Sequence, residues 1–277
     1  MRRQKGFTLV ELVMVIVLLG IVATISTQFV SLSTRGAIDL GDRQQRALQG
    51  VVVSEQITRE LREAHPLSVR VTPDTNPQCI EWIPILGATS YSSVPVDEAS
   101  TDVRIAPFSG DVTGRIEDSP SSFRLAVYGY PATNFYDVGD VQASISPKLS
   151  SLEDDDSVAD GKIVLQSSHR FNSGSPRKRI YAIQEPVSIC QSGSRLYRFE
   201  SYGFHTNQLS FSELSNPALS AVEGVLAANV QESSFKVDYT PASLRRSAIV
   251  NFAFVLKAQN TEETTRVTQE VQIRNVP

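Results

Sequence analysis

The chain has 277 residues, 41% hydrophobic and 20% charged, a globular composition that excludes collagen-like, coiled-coil and low-complexity classes. Its mean hydropathy of −0.12 leaves room for one apolar span at most, which excludes a multi-span membrane protein. The formal net charge is −4, and Arg2, Arg3 and Lys5 precede the first apolar run, so the body is more acidic still. Such a body repels phosphate backbones, and no nucleic-acid partner is expected. Two cysteines and three histidines supply few metal ligands or nucleophile–base pairs, so no metal, cofactor or catalytic residue is expected.

The head of the chain, MRRQKG, is basic, and Phe7 to Val30 is apolar apart from Glu11 and a few hydroxyl and amide residues. An ordinary secretory signal needs a small-x-small cleavage site, and Ala23-Thr24-Ile25-Ser26 is a poor one. The run Leu12 to Ile25 is short for a membrane span, whereas Phe7 to Val30 is long enough once Glu11 is included. The basic head holds the N-terminus in the cytoplasm, so the remainder is expected beyond the inner membrane. A carboxylate within a span costs roughly 2.5–3.5 kcal/mol at mid-membrane and less near the interface. Glu11 therefore sits among headgroups or has a dedicated cationic partner.

Gly6-Phe7-Thr8-Leu9-Val10-Glu11, after a short basic leader, resembles the type III signal of type IV pilins and of type II secretion pseudopilins. The resemblance implies that a prepilin peptidase cuts between Gly6 and Phe7 and methylates the new Phe7 amine. It implies further that Glu11 neutralises the terminal amine of a neighbouring subunit in a fibre. Gly20 falls where many pilins carry a glycine, while Gln28 stands where many major pilins carry a kinking proline.

Ser31 to Gly41 is small-rich, and Asp42 is a plausible N-cap if the helix is interrupted at Gly41. Val53, Ile57, Leu61 and Ala64 then recur at spacings of three and four among Arg59, Glu60, Arg62 and Glu63, one apolar stripe on a charged helix. His65-Pro66 ends it, because the residue before proline leaves the helical region. His65 reads as a helix-end residue near the C-terminal dipole and not as a ligand.

From Leu67 the chain reads β. Expected strands are Ser68–Thr72, Cys79–Ile85, Val103–Pro107, Phe123–Tyr130, Ile163–Gln166 and Arg179–Ile183. Val187–Ser192 and Arg195–Tyr202 flank Gly193-Ser194 as a hairpin, and Ala248–Lys257 pairs with Thr264–Ile273 across Asn260–Glu263. Ala218–Asn229 is expected as a short helix, and no internal repeat is apparent. The expected fold is α+β: a leader at 1–6, a transmembrane or fibre-core helix at 7–30, its amphipathic continuation at 31–65 and a β-rich periplasmic head at 66–277.

Several blocks add a finer resemblance. Arg59-Glu60-Leu61-Arg62-Glu63-Ala64-His65-Pro66-Leu67-Ser68-Val69-Arg70-Val71, Cys79-Ile80-Glu81-Trp82-Ile83-Pro84-Ile85, Pro186-Val187-Ser188-Ile189-Cys190 and Arg274-Asn275-Val276-Pro277 resemble the O-type minor subunit family of the mannose-sensitive haemagglutinin (MSHA) pilus. That implies a minor subunit whose partners are other pilins, the prepilin peptidase, the inner membrane and the pilus assembly machinery. A J-like minor pseudopilin and a signal-anchored periplasmic binding protein or adhesin are the alternatives.

Cys79 and Cys190, both in expected strands of an exported domain, are expected to pair. Closing a loop on the order of 100 residues stabilises by about 4–5 kcal/mol in the chain-entropy model. Two buried thiols are the alternative. Glu153-Asp154-Asp155-Asp156 with Asp160-Gly161 has the oxygen density of a calcium loop but lacks an EF-hand's completion, and reads as a solvated acidic loop. Arg177-Lys178-Arg179 reads as a charged loop entering a strand, and Trp82 as a core aromatic. HExxH, GxSxG and GxxxxGK[ST] are absent, and His65, His169 and His205 form no local ligand pair.

Overall fold

The computed structural model describes residues 6–72, 78–128, 135–137, 143–154, 161–242, 246–259 and 261–273. The chain divides into two compact units, Met1–Leu48 and Gln49–Pro277. Helix α1 runs Leu9–Arg62 without a break, 54 residues or about 80 Å at 1.5 Å per residue. The helix is not interrupted at Gly41, so Asp42 is not an N-cap. A glycine inside a helix costs about 1 kcal/mol, less than the orphaned backbone groups that two new helix ends would create.

In the first unit the large apolar side chains from Leu9 to Leu40 are all exposed. The hydroxyls in this stretch are spent on the helix itself. Thr24 Oγ1 donates to the Gly20 and Ile21 carbonyls at 3.1 and 2.8 Å, and Thr27 Oγ1 donates to Thr24 O at 2.9 Å. Such back-bonding lets a polar residue lie in an apolar segment without an unmet donor.

The second unit begins where the helical pattern becomes one-sided. Val53, Ile57, Leu61 and Ala64 are buried, while Val51, Val52, Arg59 and Glu63 face out. The helix closes with a tightened turn, Glu63 N–H to Glu60 O and Ala64 N–H to Leu61 O, both 3.2 Å, and His65 N–H then donates to Ile83 O. Strands β1 (Arg70–Val71) and β2 (Cys79–Trp82) follow. Next come β3 (Ile85–Ser93), β4 (Ser100–Ile105), helix α2 (Gly110–Asp118), β5 (Arg124–Ala126), β6 (Ile145–Asp154), β7 (Gly161–His169) and β8 (Arg179–Ile183). The chain ends with β9 (Val187–Ser192), β10 (Arg195–Glu200), the single turn α3 (Phe211–Leu214), β11 (Val222–Ala228), β12 (Lys236–Thr240), β13 (Ala248–Lys257) and β14 (Thr264–Ile273).

All the strand pairings are antiparallel, and they build three assemblies: a five-stranded sheet β1-β2-β9-β10-β11, a three-stranded sheet β12-β13-β14, and a closed barrel β3-β4-β7-β6-β5-β8. The fold is α+β and pilin-like, a long apolar N-terminal helix followed by a β-rich head. The two sheets and the Val53–Leu61 stretch of α1 share one core, whose members include Ile57, Leu61, Trp82, Ile189, Phe252 and Phe254. At Gly50 the approach is close enough that a Cβ would lie 2.8 Å from Val267 Cγ2 on β14.

The barrel is an insertion. β2 and β9 are neighbours in the five-stranded sheet, and the chain between them leaves, closes six strands around its own core, and returns. Cys79 and Cys190 stand opposite each other in that β2–β9 register and are joined by a disulfide. The crosslink therefore closes the neck of the insertion.

Several expected elements differ in detail. Cys79–Ile85 is split at Pro84, which makes only an isolated bridge to Ala64 before β3 starts. Ala218–Asn229 is not a helix: a 3-10 turn at Pro217–Leu219, left-handed Ser220 and then β11 occupy it. Pairing along β10 overrides the helix preference of its alanines and leucines, because each long-range ladder position adds packing that isolated propensity does not. The acidic run starts at the end of β6, where Glu153 lies 3.7 Å from Lys162; Asp155, Asp156 and Asp160 lie outside the described residues.

Candidate assembly site and the polar anchors of the head

The Gly6–Phe7 peptide precedes the helix, with both residues exposed and no atom within 4 Å of where a Gly6 side chain would stand. Thr8 takes the N-cap place. Glu11 N–H donates to Thr8 Oγ1 at 3.4 Å, and Thr8 N–H and Oγ1 donate to Glu11 Oε2 at 3.5 and 3.4 Å. This is a capping box, in which cap and third helical residue satisfy each other's orphaned donors. It also places a carboxylate at the positive end of the helix macrodipole. Glu11 thus has a partner inside its own subunit, a role the sequence reading missed although Thr-x-x-Glu before an apolar run is its signature.

In the head, the polar groups cluster around the disulfide. Glu81 on β2 is fully buried, and its Oε2 receives Arg70 Nε from β1. Its Oε1 receives Tyr202 Oη at 2.9 Å, and that hydroxyl lies 2.8 Å from Ser188 Oγ on β9. Arg70 donates its other two nitrogens to the carbonyls of Thr206 and His205, at 2.7 and 2.8 Å, and its guanidinium lies 3.5 Å from the Tyr136 ring centroid. Burial pushes the Glu81 carboxyl above its ordinary value, and hydrogen bonds from Arg70 and Tyr202 oppose it. Burial, with Glu81 nearby, pushes the Tyr136 and Tyr202 hydroxyls well up, so both remain protonated donors. Burying an ion pair is tolerable only when its remaining lone pairs and protons are met. The cluster meets them by tying the 202–206 segment to the sheet.

Two glutamines flanking the cysteines do a second job. Gln78 mimics a strand toward β12, accepting from Val237 N–H and donating to Val237 O, both 3.0 Å. Gln191 accepts from Phe235 N–H at 2.8 Å and donates to Gln231 O at 2.7 Å. The register that sets Cys79 opposite Cys190 puts both glutamines at the same end of the disulfide, where they stitch β2 and β9 to β12 and to the 231–235 segment that leads into it. No local sequence signal marks the stitching, because the partners that make it lie 40 or more positions away.

The remaining candidates take structural places. Trp82 is fully buried in the main core. His65 is buried against Phe135 and Tyr181, ring centroids 4.4 and 5.4 Å away, and burial lowers its pKa to about 3. His169 and His205 lie elsewhere, at Ala143 O and Tyr202 O. Lys178, in the left-handed region at φ 52°, turns the basic cluster into β8. Among the described residues no group of three acidic, histidine or cysteine side chains is placed to hold a metal. A polar cleft of about 620 Å³ opens between the end of α1 and β10, and its charges largely pair with one another: Arg198 bonds Glu60 at 2.9 Å and Glu200 at 2.6 Å, and Lys148 lies 3.4 Å from Glu185.

Residues 1–27 match the family model for the prokaryotic N-terminal methylation motif. No curated protein and no solved structure gives a significant match to the chain. The matched stretch holds Gly6, Phe7, Glu11 and most of the exposed apolar helix, the one helix among the described residues long and apolar enough to cross a membrane. It supports a membrane-anchored, type IV pilin-like or pseudopilin-like subunit, with a structural rather than an enzymatic role and with other pilins and a prepilin peptidase as its general partners.

Proposed function

We propose that the chain is a minor pilin-like subunit of an MSHA-type type IV pilus. Residues 1–6 are a leader, removed by cleavage between Gly6 and Phe7 with methylation of the Phe7 amine. Residues 7–30 hold the subunit in the inner membrane with the N-terminus cytoplasmic and the head periplasmic, and later enter the fibre core. The carrying observation is the exposure of every large apolar side chain from Leu9 to Val30, in the stretch that matches the methylation motif. Fully exposing such side chains to water costs roughly 1.5–3 kcal/mol each, so lipid or other helices must cover them. The MSHA-type assignment is supported by the sequence blocks from Arg59 to the C-terminus. The motif is shared with pseudopilins, which keeps a J-like minor pseudopilin of type II secretion as the second reading.

In this reading Glu11 changes partners. Before assembly it caps its own helix near the membrane interface. In a fibre core of packed apolar helices, a charge left without a counter-ion costs several kcal/mol. The methylated amine of an adjacent subunit offsets that cost at one axial offset, so the pair also sets register. Full-length Glu11→Leu, at equal membrane level, is expected to be depleted from sheared fibres while its head keeps its melting temperature. Equal recovery of variant and wild type would remove Glu11 from assembly.

A further inference from the structure

Three exposed edges of the head's two sheets are protected. β1 is two residues long and carries Arg70. β12 is met by the Gln78 amide at both backbone groups of Val237. β14 places Arg266 and Glu270 on its exposed face. The barrel, being closed, has no edge. The fourth edge is different. β11 ends the five-stranded sheet, has β10 as its one strand partner among the described residues, and contains no lysine, arginine or proline; its last residue, Ala228, accepts from Gln49 Nε2 at 3.2 Å, while Val222–Val225 receives no such side-chain bond among the described residues. Val222 and Val225, 54% and 53% exposed, are the two large apolar side chains of the head's β structure that stand open among the described residues. They are three apart on one strand, so they face opposite sides of the sheet. A Cβ at Gly224 between them would meet nothing closer than Arg198 O at 3.9 Å, and the irregularity that interrupts the ladder falls later, at Leu226. Natural edges are blunted by charge, proline, bulges or cover, and Val222–Val225 has one carboxylate, Glu223, with no ion-pair partner among the described residues.

We infer that β11 receives an extended strand from a different pilin-type subunit, with apolar side chains beside Val222 and Val225 and a lysine or arginine facing Glu223. This rests on the pilin-like reading. A second copy of β11 fits poorly, because two-fold pairing about Gly224 brings two Glu223 carboxylates onto one face at diagonal distance with no cation on either strand. Seven residues of edge bury far less than the roughly 1,200 Å² of a stable free-standing interface. The contact therefore needs a partner already concentrated beside it, as subunits anchored in one membrane by their N-terminal helices are. Backbone ladder bonds supply the attachment and the alternating side chains the selectivity.

The test uses the full-length chain in its native cell, with a photo-crosslinking amino acid at Val225 and, as a control, at Arg266 on β14. The expected adduct at Val225 joins a second protein that itself carries a prepilin-type N-terminus, through a β-forming peptide of that protein. Val222→Lys with Glu223→Lys, which guards the edge and reverses its charge, should lower adduct yield roughly tenfold. Melting temperature and the Cys79–Cys190 disulfide report that the doubly substituted head still folds. The N-terminal peptide of the same sample separates the two ideas. A methylated Phe7 terminus with no adduct at Val225, or with equal adducts at Val225 and Arg266, would overturn the edge proposal alone. An adduct between two copies through β11, or with a protein lacking a prepilin signal, would overturn its occupant. A terminus at Met1 would overturn both readings.

Discussion

Helix α1 holds two regions with opposite logic. From Leu9 to Val30 it is apolar on every side and buries none of its large apolar residues, whereas from Gln49 to Arg62 the stripe of Val53, Ile57 and Leu61 is buried and the opposite face, apart from Val51 and Val52, is polar or charged. The second region has its partner within the chain: Trp82, Ile189, Phe252 and Phe254 are the surface that the stripe fits. The first has none. The same side chains therefore carry different information in the two places. A stripe specifies a docked helix, and an all-round apolar surface specifies a different solvent.

The comparison can be broken most sharply at the crosslink. Cys79→Ala with Cys190→Ala is expected to cost the head about 4–5 kcal/mol, because the bond closes the long inserted loop at its neck. Chemical denaturation measures that loss, and membrane retention through residues 7–30 should not change. Next is a matched pair of truncations. Ile57→Ala should destabilise the head by about 2–5 kcal/mol through transfer and cavity terms, while Leu18→Ala should leave its melting temperature where it was. A fall for Leu18→Ala would contradict the exposure of its side chain.

Where α1 ends, acid provides a smaller probe. His65 is neutral in the fold, with its pKa lowered to about 3, and titrates normally when unfolded. The unfolded chain therefore binds the extra proton, and stability is retained above pH ~6.5 and lost as pH falls toward 3. At pH 5 the loss from this group is about 2 kcal/mol. His65→Phe should flatten that part of the stability–pH curve, and an unchanged slope would place the acid sensitivity elsewhere. Smallest is a glycine pair. Gly36→Ala meets nothing within 4 Å and should strengthen the helix by about 1 kcal/mol in a helix-content measurement. Gly50→Ala gains the same propensity but must displace Val267, so its head stability should rise less or fall.

What the sequence made legible follows from the same contrast. The stripe at Val53, Ile57, Leu61 and Ala64 and the stop before Pro66 are local patterns, and both stand in the structure. The last hairpin is legible for the same reason: Ala248↔Ile273 to Lys257↔Thr264 is one unbroken register of alternating residues. The expectations fail where the deciding partner is remote. Ala218–Asn229 has helical composition, yet β10 makes its second half a strand. The barrel cannot be read from short runs because closure depends on β3 pairing with both β4 and β8. Arg70 with Glu81, and Gln78 with Val237, carry no periodic signal at all. At the candidate site the Gly6–Glu11 pattern is legible, and the Thr8–Glu11 capping box shares those residues, so one local spacing carries two roles.

The most direct test of the central claim, that the first region of α1 is a processed anchor and assembly helix, is the intact mass of protein extracted from membranes under non-reducing conditions. The expected mass is that of the chain without Met1 to Gly6, with one added methyl group on Phe7 and two hydrogens fewer for the Cys79–Cys190 bond. A species that retains Met1 to Gly6 in cells with an active prepilin peptidase would contradict it.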